Sequence, residues 1–196
     1  MMGRERRHFL RNSGILALGL MAPLAAQADK TTGPYVTPSV DVAVTYELAS
    51  PEGGAPVRQD MHWQVATLRQ RIDPAGSAVY MITSWKDRTL TVVDTLSHRR
   101  STMPAPGTAL TLPGQVAAGS FARMGTDTVA GQFCTVWRTV DQDGRPGDAC
   151  YTADGILVRM VQGGRTMVQA VSVERVPQPD ALFVVPQDYS ETAPAR

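Results

Sequence analysis

The chain has 196 residues, with 19 lysine and arginine side chains against 18 aspartate and glutamate side chains, a net charge of +1. This balance excludes the concentrated basic surface that duplex nucleic acid requires, so no nucleic-acid partner is expected. The length fits one domain with a substantial core.

Residues 1–28 have the layout of a secretory signal peptide. Four arginines come first, an apolar run over 15–24 follows, and the segment ends in Ala-Gln-Ala at 26–28. The run is shorter than the roughly 20 residues that cross a bilayer core. We therefore expect cleavage after Ala28, a periplasmic location and a mature chain without a transmembrane segment, with a net charge of about −2 once the four arginines and Glu5 are removed. The stretch RRHFLR at 6–11 also resembles a twin-arginine signal, and the sequence leaves the choice of export route open.

The mature chain reads as a series of short strands. Residues 39–48 alternate apolar and polar side chains, and VYMITSW and LTVVD flank a polar KDRT loop like the arms of a hairpin. The segment DMHWQVATLRQRID, residues 60–73, fits either a strand or a helical face, and we predict a strand because its neighbours are strands. Residues 97–114 are rich in Pro, Gly, Ser and Thr, which favours a long irregular connection.

The strand spacing favours one curved antiparallel sheet or a partly closed barrel, with few helices and no internal repeat. We expect an extended N-terminal segment over 29–38, a single β domain over 39–190 and a flexible tail over 191–196.

No catalytic residue set, metal site or cofactor motif is evident. The two histidines of the mature chain, His62 and His98, lie on separate segments without a metal-ligand spacing. The acidic stretch from Asp141 to Asp148 resembles the start of a calcium loop, but Thr152 occupies the twelfth position, and a turn is the simpler interpretation. We therefore expect a protein that is not an enzyme.

Cys134 and Cys150 are the only cysteines. Their spacing is not that of a Cys-x-x-Cys redox pair, and companions for a zinc site are missing. In an oxidising compartment the two arms of a hairpin would bring them together, so we predict a structural disulfide, with free thiols as the alternative.

Several of these segments resemble one family. The strand DVAVTYEL, the hairpin VYMITSWKDRTLTVVD, the stretch GTDTVAGQFCTVWRT and an ending with Phe183, Pro186 and Tyr189 are similar to an uncharacterised family of exported bacterial proteins. That family is similar in turn to the periplasmic lipoprotein-carrier (LolA-like) superfamily. The resemblance implies a strongly curved antiparallel sheet that forms a half-open barrel around an apolar cavity, although the amphipathic helix that opens true carriers is not evident here.

Two hypotheses of function follow. The first is a periplasmic, non-enzymatic carrier that binds a lipid or acyl chain, and large apolar residues on the predicted strands are candidates to line its cavity: Met61, Trp63, Tyr80, Trp85 and Trp137. The second is an envelope protein-interaction or stress-sensing module that uses the sheet edge or the loop over 97–114. In that loop Arg99 and Arg100 are candidates to contact an anionic headgroup or a partner's carboxylates, with a solvated loop as the simpler alternative.

Overall fold

The computed structural model describes residues 33–50, 53–107, 110–141 and 143–193. The predicted signal peptide over 1–28 lies outside these residues. Within the described part, no helix is long and apolar enough to span a bilayer.

A single sheet dominates the described chain. Its twelve strands are β1 (Val42–Leu48), β2 (Val57–Gln64), β3 (Arg69–Pro74), β4 (Val79–Ser84), β5 (Thr89–Asp94), β6 (Arg99–Pro104), β7 (Ala122–Val129), β8 (Gln132–Val140), β9 (Pro146–Tyr151), β10 (Leu157–Gln162), β11 (Arg165–Glu174) and β12 (Ser190–Glu191). A short 3-10 helix, Asp180–Phe183, is the one helix among the described residues. The prediction of a mainly β fold with few helices is confirmed.

The strand order is β12-β6-β5-β4-β3-β2-β1-β11-β10-β9-β8-β7. Neighbouring strands are antiparallel, except that β12 runs parallel to β6. The two ends of this order are not paired with each other, so the sheet is open and does not close into a barrel. The sheet nevertheless curls at the β7 end, as shown by the ion pair between the carboxylate of Asp127 on β7 and the guanidinium of Arg159 on β10. In a flat sheet those two strands would be about 14 Å apart.

Strands β2 to β6 form a meander with a regular spacing of ten residues. One row of directly opposed residues runs across all five strands, through Met61, Ile72, Met81, Val92 and Ser101. The strands end ten residues apart, because β3 to β6 have six residues each and every turn has four; β2, with eight residues, is longer only at its start. This regular repeat was not predicted from the sequence.

The alternation of side chains along these strands gives the sheet two distinct faces. We call the face that carries Val44, Met61 and Ile72 the inner face and the face that carries His62, Arg71 and Ile82 the outer face, as the register requires. The larger core cluster contains the inner-face residues and continues across the sheet; its buried members are Val42, Val44, Tyr46, Met61, Trp63, Val129, Cys134, Cys150, Ile156, Val158 and Ala170.

The C-terminal segment over 176–192, which we call the C-terminal strap, lies across the outer face of β2 to β6. Phe183 is buried against Tyr80, Ile82 and Val93 in a second cluster, and Arg71 donates a hydrogen bond of 2.9 Å to the carbonyl of Leu182. This strap ends in β12, which covers the edge of β6.

Three sequence predictions are corrected by these elements. Residues 60–73 form a hairpin rather than one strand, because the chain turns at 65–68, where Leu68 takes a positive φ of 53°. The connection predicted over 97–114 begins with strand β6, so only its later part is irregular. The tail expected to be flexible from 191 is paired at its start, since Glu191 belongs to β12 and Thr192 N–H donates to the carbonyl of Arg100 over 2.8 Å.

Candidate functional site

A cavity of about 310 Å³ lies on the inner face of the sheet, between β1, β2 and β3 on one side and β9 to β11 on the other. Its described lining consists of Val36, Pro38, Tyr46, Leu48, Gln59, Met61, Gln70, Ile72, Tyr151, Gly155, Leu157 and Val168. The volume lies at the lower end of the range for small-molecule sites in proteins. Most of the lining is apolar.

The N-terminal segment over 33–38 forms one wall of this cavity, which we call the roof. The carbonyl of Pro38 accepts a hydrogen bond from the indole N–H of Trp63 over 2.9 Å, and the hydroxyl of Thr37 donates to the carbonyl of Thr111 over 2.6 Å. Tyr35 forms an isolated bridge with Val116. The roof is therefore held both by the sheet and by the connection between β6 and β7, and the predicted extended N-terminal segment is a packed part of the site.

The polar groups of the cavity are uncharged. The Tyr46 hydroxyl donates to the carbonyl of Leu157 over 2.7 Å, and burial raises the pKa of Tyr46 far above its usual range. Burial also raises the pKa of Tyr151. Both phenols are therefore neutral at physiological pH. Gln59 and Gln70 supply the carboxamides, and none of the described lining residues is acidic or basic.

Of the five residues predicted to line a ligand cavity, Met61 lines this one. Trp63 is 2% exposed and packs in the core beneath the roof. Tyr80 points to the outer face, where Arg71 stacks on its ring at 3.9 Å from the centroid. The structure thus places Tyr80 under the C-terminal strap and away from the cavity.

The two remaining tryptophans also lie elsewhere. Trp85 is in the turn after β4 rather than on a strand, and its indole N–H is buried without a hydrogen-bond partner in the described part of the chain. Trp137 lines a separate cavity of about 210 Å³, together with Tyr35 of the N-terminal segment and Phe133 of β8. The five predicted residues therefore do not converge on one cavity.

Most of the true lining was missed by sequence reasoning, which selected large aromatic residues. Leu48, Leu157 and Val168 are ordinary strand residues, and Gln59 and Gln70 are polar. One signal was available: in β1 to β3 every charged side chain occupies an outer-face position, and the alternating positions are neutral. That pattern marks the whole inner face, but it does not locate a cavity on it.

Cys134 and Cys150 form a disulfide between β8 and β9, with a Cα–Cα distance of 5.5 Å. Both residues are 1% exposed. Cys134 also lines the 210 Å³ cavity. The bond therefore fixes the sheet from within the core, as the sequence predicted.

The two arginines proposed as anion contacts differ in their surroundings. Arg100 is paired within the chain, its Nε lying 2.7 Å from Oε2 of Glu191 on β12. Arg99 is exposed on β6. The nearby His98 stacks on Tyr189 with ring centroids 5.0 Å apart. An external anion at Arg100 would have to replace the Glu191 carboxylate.

The acidic stretch after β8 is organised as a turn. The Asp141 carboxylate accepts hydrogen bonds from the backbone N–H groups of Asp143 and Arg145, over 2.9 Å and 2.8 Å. The bond from the Arg145 backbone contributes most to holding the pKa of Asp141 below its usual range, and the side chains of Gln162 and Arg145 contribute less. Across the described residues, no group of three or more His, Cys, Asp or Glu side chains is placed to hold a metal ion.

A larger depression of about 460 Å³ lies beside the turn between β1 and β2. Charged Glu47 and Arg165 and two glycines, Gly53 and Gly54, contribute to its lining. Two of its lining residues, Ala49 and Gly53, flank positions 51 and 52 of the sequence, which are outside the described part. The 310 Å³ cavity is the better candidate, since packed core strands and the roof define its walls.

The fold and the cavity together define the structural class of this protein. It is an open, strongly curled antiparallel sheet with a small neutral cavity beneath an N-terminal roof. Neither a protein-family model nor a curated protein sequence matches the chain.

Solved structures share the fold. An uncharacterised conserved protein from Thermus thermophilus superposes with a TM-score of 0.58 at 12% identity, over 80% of this chain and 91% of that one. MucB in complex with MucA(peri) gives a TM-score of 0.50 at 14% identity, over 76% of this chain and 55% of that one. The Pseudomonas aeruginosa MucA/MucB complex gives 0.51 at 12% identity, over 78% and 58%. The chain thus spans little more than half of the MucB chains it matches, and the likeness establishes the fold alone.

Proposed function

We propose that this protein is a non-enzymatic binding protein of the bacterial cell envelope, and that it holds an apolar chain in the inner-face cavity. The observation that carries the proposal is the cavity itself: about 310 Å³, lined mainly by aliphatic side chains and walled on one side by Val36 and Pro38. A site of this kind gains affinity from burying apolar surface, at roughly 25 cal/mol per Å².

The envelope location rests on the predicted signal peptide and on the buried disulfide. Disulfides persist in oxidising compartments such as the periplasm. The fold shared with MucB is consistent with this location, and the same fold is the one implied by the resemblance to lipoprotein carriers. A lipid or a lipoprotein acyl chain is therefore the natural ligand class.

The absence of catalysis is part of the proposal. Both described histidines of the β domain lie outside the cavity: His62 is on the outer face, where its Nδ1 lies 2.9 Å from the Gln178 side-chain oxygen, and His98 is on the β5–β6 turn. The cavity lining offers amides, phenols and alkyl groups, which bind but do not make an acid-base pair with a nucleophile.

The test fills the cavity and measures binding. Mature protein is purified from its native periplasm, and co-purifying lipid is measured by mass spectrometry; binding of an apolar fluorescent probe is measured on delipidated protein. Ile72→Phe and Val168→Phe each add volume inside the cavity from a different strand, whereas Val57→Phe adds the same ring at an exposed position of β2, 48% accessible.

We expect both cavity variants to bind the probe at least about fivefold more weakly, with the Val57 variant unchanged. Two independent cavity positions guard against a variant that fails to fold. Equal binding by all four proteins, with no lipid recovered, would rule the carrier out.

A second function is favoured by a different observation. Tyr35, Val116 and Phe133 are exposed large apolar side chains, 41%, 44% and 68% accessible, and they lie together where the N-terminal segment meets β8. Such patches often mark protein-docking surfaces. MucB, a structural neighbour, was solved in complex with MucA. We propose this patch, rather than the strand-forming start of the 97–114 segment, as the docking surface of an interaction module.

The interaction hypothesis is tested by cross-linking and pull-down from envelope extracts with Phe133→Ser. Val140→Ser is the matched control, because Val140 lies on the same strand and is 56% exposed. Loss of a specific partner in the first variant alone supports the patch, and an unchanged set of partners in both removes it. A deletion of residues 99–112 would not test whether the 97–114 segment docks a partner, because it would also remove strand β6 from the sheet.

A further inference from the structure

The inner-face cavity has a neutral lining, and this property limits what it can bind. Charged side chains on the surrounding strands are directed away from it. Arg58 and Glu47, for example, lie on the outer face and pair with each other, with 3.2 Å between Nη2 and Oε1. On β3, Arg71 and Asp73 form an outer-face pair at 2.7 Å. No described lining residue could neutralise a charge brought into the cavity.

An ionic head group in the cavity would therefore lose part of its hydration without gaining an ionic partner, even at a partly exposed end. This loss disfavours a carboxylate or an ammonium group relative to a neutral head of similar size. The two phenols supply no opposite charge, and a neutral hydroxyl offers an anion at most a hydrogen bond. The Tyr46 hydroxyl already donates to Leu157, and burial holds both Tyr46 and Tyr151 in the protonated, neutral form.

The two carboxamides lie at opposite ends of the cavity floor. Gln59 is opposite Tyr46 on β1 and Pro74 on β3, whereas Gln70 is opposite Trp63 on β2. The Gln59 end is the more open one, because Val57, the next inner-face residue of β2, is 48% exposed. The Gln70 end is closed, since Trp63 is 2% and Thr83 is 7% exposed. Among the described residues, neither glutamine side chain forms a hydrogen bond.

The cavity volume limits the size of the apolar part. At roughly 30 Å³ for a water-sized group such as a methylene, 310 Å³ accommodates about ten of them. One alkyl chain of that length fills the cavity. A second chain of similar length has no room beside it.

We propose that the ligand is an uncharged, single-chain amphiphile of about ten chain carbons, with its neutral head hydrogen-bonded by Gln59 at the open end and its tail directed toward Gln70 and Trp63. The proposal rests on the proposed carrier function and names its ligand class. The head groups that fit are those whose oxygen or nitrogen atoms exchange hydrogen bonds with a carboxamide, such as a glycerol ester or an amide. A free fatty acid is disfavoured, because its carboxylate would lose hydration at this end and no described lining residue is cationic.

The test is a series of ligands with the same chain and different head charge. Monodecanoylglycerol, decanoate and decyltrimethylammonium compete with an apolar fluorescent probe on the delipidated mature protein, at about pH 8, where the carboxyl is ionised. We expect monodecanoylglycerol to bind about tenfold more tightly than either ion, which corresponds to 1.4 kcal/mol, because each ionic head loses hydration at the Gln59 end without gaining an ionic partner. Equal or tighter binding of decanoate would overturn the neutral-ligand proposal while leaving the carrier function intact. Failure of all three ligands and of the probe to bind would overturn the carrier function itself.

Two substitutions test the orientation. Gln59→Leu should weaken monodecanoylglycerol about fivefold, the loss of one hydrogen bond, and should leave the weak binding of both ions unchanged. Gln70→Leu makes the same change at the closed end, and we expect it to bind monodecanoylglycerol at least as tightly as the wild type, because an apolar side chain there would contact the tail. The reverse result, loss with Gln70→Leu and none with Gln59→Leu, would overturn the head-out orientation. No change in either variant would overturn the role of the carboxamides.

Discussion

Gly155 packs directly against the backbone of Thr37: a Cβ added at Gly155 would lie 2.8 Å from the carbonyl carbon of Thr37 and would overlap its oxygen. Gly155 also has a φ of 87°, a region that side chains rarely adopt. The contact brings the β9–β10 turn against the roof, so we expect Gly155→Ala to lower the free energy of unfolding by about 3 kcal/mol and to loosen the roof. Urea denaturation measures the first effect, and amide hydrogen exchange of residues 35–37 measures the second.

The control for this substitution separates the contact from the backbone angle. Gly76 has a φ of 72° but no neighbour within 4 Å of an added Cβ. Gly76→Ala should therefore cost only about 1 kcal/mol and leave the exchange of the roof unchanged. Equal effects of the two substitutions would show that the contact with Thr37 has no energetic weight.

Some residues in the four-residue turns of the meander adopt a positive φ, which is unfavourable for residues other than glycine. Arg88 is exposed and has a φ of 56°, and its side chain forms no hydrogen bond or ion pair within the described chain. Arg88→Gly should raise the free energy of unfolding by about 0.5–1 kcal/mol, because glycine adopts this angle without steric cost. Thermal and urea denaturation measure the gain.

Leu68 provides the contrasting case at the equivalent turn. Its φ is 53°, but its side chain packs against the larger core cluster. Leu68→Gly should therefore destabilise the protein, since lost burial outweighs the relieved angle. Stabilisation by both substitutions would contradict the packing of Leu68.

The disulfide between Cys134 and Cys150 closes a loop with a sequence separation of 16. On the loop-entropy account, removing both sulfurs as Cys134→Ala with Cys150→Ala should cost about 3 kcal/mol. Reductant should destabilise the wild-type protein, once the buried bond is opened by denaturation, and should have no effect on the double variant. A variant as stable as the oxidised wild type would contradict this estimate.

Asp154 and Arg175 make stability depend on pH. Nε of Arg175 lies 2.6 Å from Oδ2 of Asp154. The Arg175 guanidinium holds the pKa of Asp154 below its usual range, and the Thr152 hydroxyl makes a smaller contribution. The folded pKa is the lower one, so this stabilisation is complete above the unfolded value of about 3.9 and is lost as pH falls through the folded pKa.

Asp154→Asn should therefore cost about 1 kcal/mol near neutral pH, a modest amount because the pair is partly exposed and screened by solvent. The difference between the variant and the wild type should shrink below about pH 4. Urea denaturation at a series of pH values tests this, and a difference that stays constant down to about pH 2 would show that the carboxylate charge is not responsible.

The fold was largely predictable because hydrophobic alternation is strong where strands have one buried face. Residues 42–48 and 79–94 show it, and their strands and hairpin are confirmed. The hairpin within 60–73 was missed for a physical reason. Its turn, Val-Ala-Thr-Leu at 65–68, contains none of the residues that favour turns, and Leu68 adopts a left-handed angle because core packing compensates for the strain. Strand β7 was missed because its residues are mostly exposed and carry little pattern.

The site was less predictable, because a cavity is defined by what does not fill the space. Met61 was identified as a candidate since it is large and apolar, but Trp63 has the same character and is packed in the core. Met61 and Trp63 differ in how the roof, residues 33–38, passes over them. The sequence of the roof has no hydrophobic periodicity from which its position could be predicted. The disulfide was predictable from compartment and spacing, since two strands of one hairpin bring Cys134 and Cys150 together.

The ten-residue spacing of β2 to β6 also determines how such a sheet can gain or lose strands during evolution. In this meander each strand and its turn together have an even number of residues. Duplication of one hairpin, about twenty residues, would therefore add two strands to the sheet. Every later side chain would remain on the same face, and every later strand would keep its direction. An insertion longer or shorter by one residue would exchange the two sides for all that follows. Relatives of different size are therefore expected to differ by whole hairpins, gained or lost between β3 and β6, with the cavity and its roof unchanged.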